Sequence, residues 1–269
     1  MAKMVRELMH PGLITCRANA TLGQVATLLT QHHIHALFVA DRDGRPVGVI
    51  SDFDLLAGEW LSTDAASLNT MRQMTAGELM TTPIDTVEAQ TPAIDAAKRM
   101  RQEAITRLMV TEGGKPVGVI SISDFVASLM GEGPVKRQAV SDVMSRAMLV
   151  CREGTLISAV ARVMTDAHFR SVLILDGVGQ PRGVASGMDL LAFCEEGGCA
   201  DATVEEVMHA ALTIAPDASL REAADKMIEN HHHRLVVVDP TEAESIPLGI
   251  ISSFDIVAEM ARPGSVWQS

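Results

Sequence analysis

A chain of 269 residues, 47% apolar and 21% charged, has the composition of a globular protein of one large domain or two smaller ones, and excludes a disordered or collagen-like polymer. Its 22 basic against 34 acidic residues leave a net charge of −12, so there is no basic field to draw in nucleic acid or an anionic membrane. Aromatic residues are 3%, with no Tyr, while Met reaches 16, so aliphatic and thioether side chains must fill the core.

No window approaches 18 consecutive apolar residues, and the opening MAKMVRELMHPG lacks the long apolar run of a signal peptide, so the expectation is a soluble cytoplasmic chain. Cys16, Cys151, Cys194 and Cys199 are irregularly spaced and read as reduced thiols. Cys194 and Cys199 would make half a metal site, with no second pair placed to complete it.

Taken in chain order, the sequence repeats itself four times. VRELM ends at Met9, AGELM at Met80, VSDVM at Met144 and VEEVM at Met208, at intervals of 71, 64 and 64 residues. Eleven or twelve residues later comes a hydroxyl residue, Thr21, Thr91, Thr155 or Ser219, placed as an N-cap before an apolar stripe of helical period. In the fourth copy the stripe is Leu220, Ala223, Ala224, Met227 and Ile228. In the second copy Pro92 follows Thr91, where a first helical residue tolerates proline. Each helix leads to a strand-like run (37–40, 108–110, 172–175 and 235–238), a Gly- or Pro-containing turn, and a second run reading VGVIS, VGVIS, RGVAS or LGIIS. Each copy closes with Ser-x-x-Asp opening another helix: Ser51 to Asp54, Ser121 to Asp124, Ser186 to Asp189 and Ser252 to Asp255. In all four, a Gly lies six residues before the Asp: Gly48, Gly118, Gly183 and Gly249.

A unit of strand, helix, strand, strand and helix, some 55–60 residues long, sits at the lower limit of what burial can stabilise, so the units should pair. The Gly- and Pro-containing segment 131–138 divides the second copy from the third. The connector 58–78 is long and partly helical in pattern, and 194–206 is shorter and turn-rich.

The fourfold Met motif, capped helix, apolar strand and Gly-[VI]-[IVA]-Ser-x-x-Asp resemble four tandem CBS domains, covering about residues 5–261. The resemblance implies an α/β (α+β) fold of four βαββα units paired into two Bateman modules. Residues 1–132 would hold units at about 5–60 and 76–130, and residues 138–269 units at about 140–194 and 204–262. It also implies clefts between paired units that take adenosine-containing ligands.

Ser-x-x-Asp by itself fits a capping box, with the acidic charge suited to the helix dipole. Two details point further: a capping box favours the longer Glu or Gln, and the preceding Gly leaves room for a flat ligand to approach the backbone. A short carboxylate there can accept ribose hydroxyls, as an acidic residue does in dinucleotide-binding folds, and capping and binding can coexist. The resemblance assigns ribose to Asp54, Asp124, Asp189 and Asp255, and places Ser51, Ser121, Ser186 and Ser252 near phosphate. Ser123 and Ser253 could add a hydroxyl. Phosphate cations are sought where the first helix meets its strand: Arg107, Arg170, His233 and Arg234, with His35 in the slot of copy one. The string from His233 to Asp239 resembles the AMP-binding γ subunit of AMP-activated protein kinase. These cations could equally stabilise helix C-termini. Leu13, Ile84, Met148 and Leu212 could line adenine or simply pack in the core.

Six of nine histidines cluster at two junctions, His32, His33, His35 and His231 to His233; neighbours on one helix point in different directions, which argues against a metal site and leaves a pH-sensitive affinity open. Copy three departs at Arg182 and Gly187, and copy one has Ala36 where others carry Arg, so copies two and four are the better candidates. The leading expectation is a non-catalytic sensor that requires no cofactor, binds a nucleotide such as AMP, ADP or ATP and acts on a separate protein partner, as a lone chain or a homodimer. No Ser-His-Asp, Cys-His or metal-ligand constellation suggests an enzyme. An interaction scaffold with vestigial clefts is the alternative, with an enzyme or a metal-binding protein on the same fold behind it.

Overall fold

The computed structural model describes residues 3–55, 73–128, 139–195, 201–241 and 246–260. The expected boundary at 131–138, most of the connector 58–78, and Cys199 lie outside the described residues.

Each repeat builds the same local unit. Its long helix is Leu22–Gln31, Ala93–Gln102, Ile157–Asp166 or Leu220–Glu229, and each buries four residues at i, i+3, i+4 and i+7. In the second repeat these are Ala93, Ala96, Ala97 and Met100. Thr21 and Ser219 cap their helices through the side-chain oxygen. Thr91 and Thr155, expected to do the same, do not: Pro92 and Leu156 stand at the N-cap, and the Thr155 hydroxyl donates to the Arg152 carbonyl. Proline fixes its own φ and leucine has no polar side chain, so both helices begin without a side-chain cap. All four helices end alike, at a left-handed residue, His33, Ala104, His168 or His231, after which the next N–H returns to the helix, as from Ile105 to the Met100 carbonyl.

The helix connects two parallel strands. Thr15–Arg17 lies beside Ala36–Ala40, Thr86–Glu88 beside Arg107–Glu112, Val150–Arg152 beside Ser171–Leu175, and Thr213–Ile214 beside Arg234–Val238. An antiparallel hairpin strand follows, Pro46–Ser51, Lys115–Ser121, Pro181–Ser186 or Pro247–Ser252. These are the expected strand runs, and the Ser of Ser-x-x-Asp is the last strand residue in every copy.

The segment after each motif Met pairs with the hairpin strand of a different repeat. His10–Pro11 adds to Lys115–Ser121, with His10 opposite Val119. Thr81 bridges Val49, Ser145 bridges Ile250, and His209 in His209–Ala210 lies opposite Val184. The four contacts have the same register: the residue after the Met always faces the residue after the motif Gly.

Two compact units result. The first comprises 1–13, 85–148 and 212–269, the second 14–84 and 149–211. In the first, repeats two and four share one core: Phe125 and Val126 of helix Ile122–Ala127 join Ile256 and Val257 of helix Ser253–Met260, with Met100 and Met227. In the second, Leu191 and Met188 of helix Gly187–Glu195 join Leu22, Val25 and Leu29 of repeat one.

Candidate functional site

The four Ser-x-x-Asp motifs share one hydrogen-bond pattern. The Ser N–H and Ser hydroxyl both donate to Oδ2 of the Asp, at 2.8 and 2.7 Å for Asp54, 2.6 and 2.9 Å for Asp124, 2.7 and 2.6 Å for Asp189, and 2.7 and 2.6 Å for Asp255. The capping box therefore forms in every copy, and Asp is long enough for it because the strand-ending serine holds its N–H beside the carboxylate. It uses one carboxylate oxygen and leaves Oδ1 for something else.

The motif glycines have a different role from the one their spacing suggested. A Cβ on Gly118 would collide with the His10 carbonyl, on Gly249 it would lie 2.6 Å from the Ser145 carbonyl, and on Gly183 2.6 Å from the Met208 sulfur. On Gly48 it would meet the Met80 side chain. The space above each glycine is filled by the motif Met of another repeat, joined at Gly118, Gly183 and Gly249 by the backbone carbonyl that follows it, so the glycine admits a neighbouring segment, and ligand access is not its purpose.

In the first unit the motifs of repeats two and four come together. Arg107 lies opposite Ser121 and Arg234 opposite Ser252, so the two arginines occupy equivalent places beside the two capped serines. Ser123 Oγ is 3.4 Å from His233 Nδ1, which joins the repeat-two motif to the repeat-four junction. Ser253 is buried. Burial pushes the carboxyl of Asp124 up from the usual range, opposed by the two Ser121 hydrogen bonds and by His10. Burial likewise raises Asp255, opposed by Ser252 and by the nearby Arg234 charge. Each of the two carboxylates, whose burial disfavours the charged form, thus has its capping serine paired with an arginine across the hairpin.

The second unit is built differently. His35 Nδ1 lies 2.9 Å from Oδ2 of the buried Asp52, so in this unit its side chain is engaged by a carboxylate. Arg170 is exposed and one position before the Arg107 and Arg234 slot, which Ser171 fills opposite Ser186. Arg182, the departure of copy three, is exposed and pairs with Glu153 at 3.2 Å. The Phe53 and His168 rings lie 6.5 Å apart. Among the proposed adenine-lining residues, Leu13, Ile84, Met148 and Leu212 are all half-buried, and Leu212 packs against the core of the first unit.

Two residues that sequence reasoning missed touch the aspartates directly. His10 Nε2 lies 2.8 Å from Asp124 Oδ1, and His209 Nε2 lies 2.8 Å from Asp189 Oδ1. Both directly follow the motif Met, as in Met9-His10 and Met208-His209, and that shared position was the available signal. Among the described residues, no group of three or more His, Cys, Asp or Glu side chains is arranged to hold a metal, and no helix is long and apolar enough to cross a membrane.

Comparison with known proteins bears on the whole chain. The CBS domain family matches residues 5–59, 76–131, 140–196 and 204–262. Protein MJ1404 of Methanocaldococcus jannaschii is 26% identical over 160 residues, 54% of this chain and 35% of that one, so the chain spans little more than a third of that relative. Protein MJ1225 of the same organism is 23% identical over 201 residues, 70% of this chain and 69% of its own length. The crystal structure of MJ1225, described as a candidate archaeal homologue of γ-AMPK, superposes with a TM-score of 0.83 at 16% identity, covering 96% of this chain and all of that one. A conserved protein of Pyrococcus horikoshii superposes with a TM-score of 0.67 at 20% identity, over 97% and 100% of the two chains. Four matched segments, four copies of one strand and helix order, and superposition across nearly the full length establish that this chain belongs to the CBS domain family, with four CBS domains in tandem.

Proposed function

We propose that the chain is a non-catalytic sensor that binds adenosine-containing ligands, AMP or a related nucleotide, and signals through a change of conformation or of partner contacts. The observation that carries this reading is the first unit's two carboxylates, the buried Asp124 and the half-buried Asp255, with Arg107 and Arg234 opposite their capping serines, the Arg234 charge acting on Asp255, and Ser123 joined to His233. A ribose diol donates to a carboxylate, and a phosphate needs the cations. One ribose carboxylate, one or two phosphate cations and a buried base are enough for micromolar binding, roughly −8 kcal/mol. An acidic chain must concentrate its few cations where phosphate is held, and equivalent placement of Arg107 and Arg234 does so. As part of the same proposal, consecutive repeats pair into modules at 1–132 and 138–269, since each segment after a motif Met joins the hairpin strand of its consecutive neighbour.

The test is a melting screen against AMP, ADP, ATP, S-adenosylmethionine and NAD. At a ligand concentration one hundred times Kd, the stabilisation is about 2.7 kcal/mol, a shift of several degrees. Asp124→Ala and Asp255→Ala should each reduce that shift. If no compound moves the wild-type transition, the chain is not an adenosyl sensor; if one does and both variants respond as wild type, these carboxylates are not the site.

A further inference from the structure

The four aspartates present the same Oδ2 contacts and differ at Oδ1. At Asp124 and Asp189, Oδ1 accepts from His10 and His209, each at 2.8 Å. At Asp54 and Asp255 the residue in the same register is Thr81 or Ser145, and among the described residues neither forms a hydrogen bond with the aspartate. The register is imposed by backbone pairing, since the residue after the motif Met faces Val119, Val184, Val49 or Ile250 in turn. Whether a side chain can cap the carboxylate then depends only on which residue the chain carries at that one position.

We propose that His10 and His209 are latches on Asp124 and Asp189, which a ribose must displace to bind, so that the clefts fall into two classes: latched at Asp124 and Asp189, open at Asp54 and Asp255. This rests on the reading of the aspartates as ribose acceptors. An ionised carboxylate offers about four acceptor positions. Ser121 fills two on Oδ2 of Asp124, and His10 fills one on Oδ1, leaving one for a diol that needs two. At Asp54 and Asp255 both Oδ1 positions remain. The latch can move: the His10 side chain is 76% exposed and that of His209 58%, against 4% and 20% for their aspartates. Opening it therefore returns an imidazole to water and leaves the carboxylate in place for its ligand. His10 and His209 act as specificity-determining residues, setting the threshold at which each cleft fills.

The experiment is titration calorimetry of AMP with the full chain. In a chain carrying Asp54→Asn, Asp189→Asn and Asp255→Asn, where Asp124 is the remaining carboxylate, His10→Ala should tighten AMP about tenfold, because the ligand no longer competes with a hydrogen bond to a charged group. His10→Gln keeps an N–H donor and should stay within about threefold of the unaltered histidine. In the complementary chain that keeps only Asp54, Thr81→His should install a latch and weaken AMP by about the same factor of ten. These two exposed positions are altered without touching the core, and a melting curve for each variant confirms folding. If the Asp124-only chain binds AMP and His10→Ala leaves the affinity unchanged or weaker, the latch is refuted while the sensor reading stands. If AMP binds the wild type but the Asp124-only chain binds it with neither residue at position 10, Asp124 is not a ribose acceptor and the latch falls with it. If AMP and the other adenosyl compounds fail to bind any form, both readings fall.

Discussion

Asp124 pays for its position before any ligand arrives. Burial raises its carboxyl, as it does that of Asp255, so the folded protein holds protons there more tightly than the unfolded chain. Stability from such a group is fully present below the unfolded carboxylate pKa and is lost as pH rises through the folded one. Asp124→Asn should therefore melt higher than wild type at pH 7.5, with the gap closing as pH is lowered through the raised pKa, a trend that melting curves across a pH series will show. Ligand binding has the opposite sign, because ribose hydroxyls donate to the ionised form: AMP affinity at Asp124 and Asp255 should fall as pH drops through the same range. The four aspartates were legible in the sequence because Ser-x-x-Asp recurs at fixed distance from a glycine. His10 and His209 share a position after the motif Met that the sequence displays, but each serves the carboxylate of a repeat other than its own, and spacing within one repeat does not tell which carboxylate that is.

The glycines decide whether the elements fit together. Where the opposed atom is backbone, a methyl group cannot be absorbed, so Gly118→Ala and Gly249→Ala should destabilise by about 2 to 3 kcal/mol. At Gly48 the obstruction is the Met80 side chain, whose flexible thioether can move aside, and Gly48→Ala should cost about 1 kcal/mol. Chemical denaturation of the three variants gives the ranking directly. A smaller effect of opposite sign belongs to the helix ends: Ala104 sits at φ 54°, and Ala104→Gly should be neutral to stabilising by about 0.5 kcal/mol, since relief of left-handed strain offsets the added freedom of the unfolded chain. The long helices and hairpin strands were legible because period and turn chemistry agree over many residues. The helix starts at Thr91 and Thr155 were misjudged by one position, because a hydroxyl at the right distance predicts a cap only if the backbone turns at that residue. The pairing of His10–Pro11 was out of reach, since a two-residue strand has no period to read.

At the scale of the molecule, an apolar stripe says that a helix is covered and is silent on what covers it. The stripe of Ala93–Gln102 and helix Ile122–Ala127 share their core with helices Leu220–Glu229 and Ser253–Met260, which belong to a repeat made far later in the chain. A fragment 1–132 retains the first pair without the second. It should self-associate or aggregate, whereas the same fragment mixed with 138–269 should recover a soluble complex; light scattering on a sizing column separates the outcomes. The assignment of segments to units also sets an order of events during synthesis. The first unit needs residues 212–269 as well as 1–13, and the second needs 149–211 as well as 14–84. Chains emerge N-terminus first, so the opening segment waits beside the ribosome for repeat two, and the core of repeat two waits for repeat four. A nascent chain of this protein therefore carries uncovered helix faces until its last repeat is made, and its yield in a cell should depend on chaperones late in translation more than on the stability of any one repeat.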